Sequence, residues 1–354
     1  TNTFSGGTVV SNGMVTTNNA AGFGTTAGAL TFGDANSLAG NNATTALVTG
    51  AVTVANPIVV TSAATAGTGT ATLGSSGANG IFSGGITMNG TKGLTVTATT
   101  GNTTTLSTAA ITNAAAGTAV VNFTGPGNIS VTSAITGTSL NKVGVTVNEG
   151  ALTGVVTLNA AIGTTTYFGP TTITSGTLAS GANNTLSANS DVTLANSSTA
   201  LLSLSATSAG STQNIGSLAG GGTSGGNVTL GAATSNLSTG STNATTQYDG
   251  VISGAGNLVK VGTGAMTVTN NNTYSGSTTV NNGSLIVSST GQLSSTSSNT
   301  VGATATTAGV LEVNGFATGS TTVTGFSAGS QQGVLSGEGT VGISGQTTTI
   351  GNLG

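Results

Sequence analysis

The chain is predicted to be all-β, a solenoid of stacked parallel coils joined by tight Gly/Asn turns. The first of three supporting observations is a twelve-residue phrase written twice. Tyr167-Phe-Gly-Pro-Thr-Thr-Ile-Thr-Ser-Gly-Thr-Leu178 recurs, 107 positions on, as Tyr274-Ser-Gly-Ser-Thr-Thr-Val-Asn-Asn-Gly-Ser-Leu285. Tyr167/Tyr274, Gly169/Gly276, Thr171-Thr172/Thr278-Thr279, Gly176/Gly283 and Leu178/Leu285 keep their offsets. A repeat of strand formers and glycine is the mark of coils that bury their apolar edges against one another. The second is short apolar alternation broken by turn residues. The third is composition: 60 Gly among 354 residues, 36% apolar, 3% charged and a net charge of −3. Disordered chains combine low hydrophobicity with high net charge, and this chain has neither.

The strand-like runs are Leu94-Thr-Val96-Thr-Ala98, Val143-Gly-Val145-Thr-Val147, Ala265-Met-Thr-Val268-Thr and Val341-Gly-Ile343. Alternation with a period of two puts one face of each strand inward. Coils of about 20 to 25 residues fit this spacing. Asn41-Asn42, Asn183-Asn184 and Asn281-Asn282 fall where the chain should turn, because Asn tolerates left-handed backbone and its amide can bond from coil to coil. Gly169 and Gly276 are expected at equivalent turns that demand little bulk or a positive φ. Lys92, Lys142 and Lys260 each precede a strand-like run at comparable places, so the three are expected to share one structural slot.

The stretch Gln213-Asn-Ile-Gly-Ser-Leu-Ala-Gly-Gly-Gly222, Asn227-Val-Thr-Leu-Gly231 and Val251-Ile-Ser-Gly254 onward to Val287 resembles the autotransporter-associated β-strand repeat of bacterial passenger domains. Asn56-Pro-Ile-Val-Val60, the run from Ile81 to Val96, and Gly333-Val-Leu-Ser-Gly-Glu-Gly-Thr-Val-Gly342 resemble its flanking elements. The resemblance covers residues 56–354, residues 1–55 being the least repeat-like, within one continuous solenoid over 1–354. It implies a right-handed parallel β-helix, secretion to the bacterial exterior or cell surface, and a structural or adhesive role.

Residue types limit the chemistry. The chain has no Cys, His, Arg or Trp, so disulfides, thiolate metal sites and most catalytic constellations are out of reach. No cofactor or metal is expected, and the chain is not expected to be an enzyme. Of the six carboxylates, Glu312 and Glu338 alone are close enough in sequence to face each other from adjacent coils as a glycosidase pair would, and exposed turns are the preferred reading. Gly220-Gly-Gly222 and Gly225-Gly226 read as turns rather than an anion cradle. The tyrosines are expected to pack over coil corners. So few ionisable groups predict a weak dependence of stability on pH.

Three lysines form no basic patch, which argues against nucleic acid, and no apolar run is long enough to insert this segment into a membrane. Thr1 starts without a charged leader, as in a mature or excised segment. Thr1 to Val10 and Gln346 to Gly354 read as uncapped strand, so the first expectation is a secreted fibre, sheath or surface layer, a homopolymer joined through terminal coils. A monomeric adhesin stalk that meets cell-surface glycans or other surface proteins is the second, and a carbohydrate-active β-helix enzyme the third.

Overall fold

The computed structural model describes residues 2–34, 43–61, 70–107, 109–150, 154–161, 164–294, 298–302, 308–317, 319–323 and 333–342, with the backbone of 348–350. The described residues are all-β and contain no helix, and their parallel sheets stack as a β-solenoid. The Asn41-Asn42 pair and most of the stretch from Gln346 to Gly354 lie outside the described residues. The chain groups into two compact units, Thr1–Leu178 and Ala179–Gly354.

Thr, Val and Ile fill the strands of the first unit because branched side chains pack well on a pleated surface. One sheet runs Gly13–Thr17, Thr44–Val48, Ala71–Ser75, Leu94–Ala98, Gly117–Thr124, Asn141–Asn148 and Thr171–Ser175, every pairing parallel. Its register lines up Ala46, Leu73, Val96, Phe123, Val147 and Ile173 one above another. All six are completely buried. A second sheet, from Thr8–Val10 to Ile111–Asn113, stacks Leu30, Ile58, Ile86 and Ile111 in the same way. A third holds Thr53–Val54, Gly80–Phe82, Thr103–Leu106, Asn128–Val131 and Val155–Leu158. The core is therefore a set of parallel columns, each taking one side chain from every coil, and each level buries its apolar face against the levels above and below.

The second unit repeats this plan. Tyr248, Val268, Val287 and Val313 stack in one sheet, and Leu202, Val228 and Ile252 in another. In a third sheet the column changes character, running Leu237, Leu258, Thr278, Asn299 and Thr321. There Asn299 Nδ2 reaches Thr321 Oγ1 at 3.2 Å, while Asn299 Oδ1 is buried without a hydrogen-bond partner among the described residues.

Coils are less uniform than the sequence pattern implies. Met14 pairs with Thr45, 31 residues on, whereas Ala265 pairs with Ser284 after 19. The surplus falls between the paired strands rather than within them. Asn does take left-handed backbone at two positions between strands, Asn184 (φ 52°) and Asn243 (φ 61°). Asn side chains also bond between coils, Asn257 Nδ2 to Asn236 Oδ1 at 3.0 Å and Asn214 Nδ2 to Asn184 Oδ1 at 3.2 Å.

Candidate functional site

The duplicated phrase builds a corner. Tyr167 and Tyr274 are completely buried, and each hydroxyl meets the hydroxyl of the threonine four positions on: Tyr167 lies 2.7 Å from Thr171, and Tyr274 is hydrogen-bonded to Thr278. Thr172 and Thr279 point to the half-exposed face, while Leu178 and Leu285 enter the core. The first glycine of the phrase does not need a positive φ. It is required by contact: a Cβ on Gly169 would lie 2.5 Å from the Val143 carbonyl oxygen, and one on Gly276 2.3 Å from that of Gly256. The second glycine takes the left-handed backbone, +84° at Gly176 and +63° at Gly283.

The lysines do not share one environment. Lys142 lies half-exposed in the strand Asn141–Asn148, opposite Thr118, and Lys92 lies half-exposed in the turn before Leu94–Ala98. Lys260 ends the strand Asn257–Lys260 and is buried, its Nζ donating to the carbonyls of Val261 (2.6 Å), Gly262 (3.0 Å) and Asn282 (3.3 Å). Burial lowers its pKa from 10.5 to about 8. Slots that match in sequence diverge here because Lys260 closes one strand while Lys92 and Lys142 open theirs.

Glu149 is a carboxylate withdrawn from solvent. It is 1% exposed, and neither carboxyl oxygen has a hydrogen-bond partner. Gly176 and Gly154 make room for it: a Cβ on the former would stand 2.8 Å from Glu149 Oε2, on the latter 3.1 Å from Oε1. Desolvation raises its pKa to about 7, with the nearby Thr177 N–H opposing the shift without closing a well-formed bond. Sequence reasoning missed this residue because the space comes from glycines on neighbouring coils.

Glu312 and Glu338 do occupy adjacent coils, but Glu312 sits opposite Ser336, and its Oε1 accepts from Asn314 Nδ2 at 2.8 Å. Among the described residues no group of three or more acidic side chains is placed to hold a metal ion, and no helix is long and apolar enough to cross a membrane.

A polar concavity lies in the second unit, where residues 220–226 fold beside the neighbouring coils. Gly222 and Gly225 exchange backbone hydrogen bonds, closing the loop, and Ser224 N–H donates to Asn196 Oδ1 at 2.8 Å. Opposite stands Asp249, whose Oδ1 accepts from Gln247 Nε2 at 2.8 Å and from Thr269 Oγ1 at 2.5 Å. Thr290 extends the ladder by donating to the Thr269 carbonyl at 3.0 Å. The groove between encloses about 530 Å³. The glycines here are turns, as the sequence indicates, but turns that form one wall of a cleft.

A family profile, the passenger-associated-transport-repeat, matches residues 1–16, 153–179 and 258–287. The last two segments contain the two copies of the tyrosine phrase, and the first falls within the stretch that reads as least repeat-like. Over 166 residues the chain is 41% identical to the adhesin BmaC autotransporter of Brucella suis biovar 1 (strain 1330), which is 46% of this chain and 4% of that protein. The chain is autotransporter passenger-like. This passenger-like chain spans about 4% of the length of the curated relative it matches. Its location is extracellular or at the bacterial cell surface. No solved structure matches it.

Proposed function

We propose that this chain is a segment of a bacterial surface adhesin, a non-catalytic β-solenoid scaffold that presents binding groups on its corners and side-chain ladders. One observation carries the reading. The passenger-repeat matches at residues 153–179 and 258–287 coincide with the tyrosine corners that build the core, so the likeness extends to the residues that make the fold. Most strand core positions take β-branched and aliphatic residues, with Glu149, Lys260 and the tyrosines as buried exceptions, while Asp249 and Asn196 stand at the surface. Beads coated with the purified chain should attach to host epithelial cells in competition with the soluble chain. Absence of attachment above an albumin-coated control would overturn the reading.

The second reading is a self-assembling fibre or sheath. It is favoured by the exposed apolar side chains Val9 (55%) and Met14 (67%) on the strands Thr8–Val10 and Gly13–Thr17. Exposed apolar side chains on a surface so poor in charge offer a contact to another copy. Light scattering should then rise with concentration for the wild type and not for Val9→Lys. A monodisperse wild type would leave the adhesin segment alone standing.

A further inference from the structure

We propose that the groove beside Asp249 in the second unit binds a neutral glycan, an assignment that rests on the adhesin reading and gives it a ligand class. The volume falls in the range of small-ligand sites, roughly 300 to 1,000 Å³. What selects the ligand is the set of groups left over once the groove has been built.

Asp249 spends one oxygen on Gln247 and Thr269, and Oδ2 has no partner among the described residues. Asn196 spends Oδ1 on the Ser224 N–H, leaving Nδ2 as a donor. Its amide lies flat against the loop, since a Cβ on Gly222 would stand 2.4 Å from Asn196 Cγ and 2.6 Å from Nδ2. Both side chains are thus fixed by their spent ends, and their open ends and the exposed Thr223 hydroxyl form an alternating acceptor and donor set. A fixed carboxylate oxygen, an amide donor and a hydroxyl suit vicinal sugar hydroxyls, each of which both donates and accepts. Threonine methyl groups and bare glycine backbone provide the small apolar patches that a sugar's C–H face covers.

Charge narrows the class. The chain's cations are Lys92, Lys142 and Lys260. The first two belong to the other unit, and Lys260 is buried on three carbonyls. With Asp249 as the charged group of the groove, sialylated or sulfated ligands meet repulsion. A peptide adding itself as a strand needs unpaired backbone groups, but Gly222 and Gly225 have paired theirs with each other and Asp249 N–H donates to the Gly220 carbonyl.

The test is saturation-transfer NMR and titration of the purified chain with lacto-N-tetraose, mannotetraose and cellotetraose, with 3′-sialyllactose as the anionic counterpart. At least one neutral probe should bind. Asp249→Asn retains the Oδ1 acceptor but turns the open oxygen into a donor, and Asn196→Ala removes the amide; each should weaken binding about tenfold or more. Asp191→Asn, elsewhere in the unit, should leave it unchanged. Thr223→Val on the exposed loop serves as a second variant whose melting temperature should match wild type while affinity falls. Failure of all three neutral probes, preference for 3′-sialyllactose, or indifference to the groove substitutions would overturn the proposal. Cell attachment that survives both glycosidase treatment of the cells and Asp249→Asn would sink the groove and keep the adhesin; absence of any attachment would sink the adhesin.

Discussion

The Tyr274 hydroxyl is hydrogen-bonded to the hydroxyl of Thr278, four residues further along, with both side chains out of contact with solvent. Burial raises the phenol's pKa to about 12, so it stays neutral at any physiological pH. Thr278→Val keeps the shape and strands the phenol, which should cost about 1–3 kcal/mol in urea unfolding. Tyr274→Phe added to it should recover part of that loss. Additive losses in the double-mutant cycle would show that the pair is not coupled.

Glu149 should make stability fall as pH rises. Its pKa is about 7 folded and 4.5 in the unfolded chain, so between those values the native state holds the extra proton. Unfolding then releases it, and stability declines across this window by up to about 3 kcal/mol before levelling above pH 7. Glu149→Gln should flatten the slope. A wild-type profile that is already flat from pH 4.5 to 7 would contradict the unpartnered, buried carboxyl, and with it the expectation of weak pH dependence would stand.

Lys260 has the opposite signature at alkaline pH. Its pKa drops from 10.5 to about 8 on folding, so between pH 8 and 10.5 the unfolded chain binds more protons and stability rises with pH. The ammonium also serves three carbonyls at once. Lys260→Met should therefore lose about 1–3 kcal/mol at pH 7 and abolish the alkaline rise. A variant as stable as wild type at pH 7 would show that water can replace the lysine at those carbonyls.

Gly276 and Gly283 should respond differently to alanine. At Gly276 the added methyl collides with the Gly256 carbonyl in a neighbouring coil, while at Gly283 it meets both the Gly262 and Gly264 carbonyls and a left-handed backbone. Both should destabilise, and Gly283→Ala more so, because two penalties add there. Hydrogen exchange of strand Thr278–Val280 reports the loss; equal protection in both variants would argue that the corner can yield.

The parts of the fold set by local pattern were legible. Alternation in Leu94-Thr-Val96-Thr-Ala98 gives strand and inward face together, and the Tyr167 and Tyr274 phrases mark equivalent corners because the tyrosine–threonine hydroxyl pair in each closes within four residues. Glu149, Lys260 and Asp249 were not legible. Each owes its surroundings to residues a whole coil away: Gly176 lies 27 positions from Glu149, and Asn282 lies 22 from Lys260. Coil length varies from 19 to 31 residues, so no fixed offset in the sequence says which residues become neighbours.

That same variation in length has a further consequence. Since the ladder of paired strands keeps its register whether a coil takes 19 residues or 31, additions and deletions at the corners leave the framework unaltered. The loop at 220–226 can therefore diversify by gaining or losing codons while the strands beneath it stay fixed. A foreign epitope spliced between Thr223 and Ser224 should ride on the folded chain, making this corner a natural place to graft a new recognition sequence.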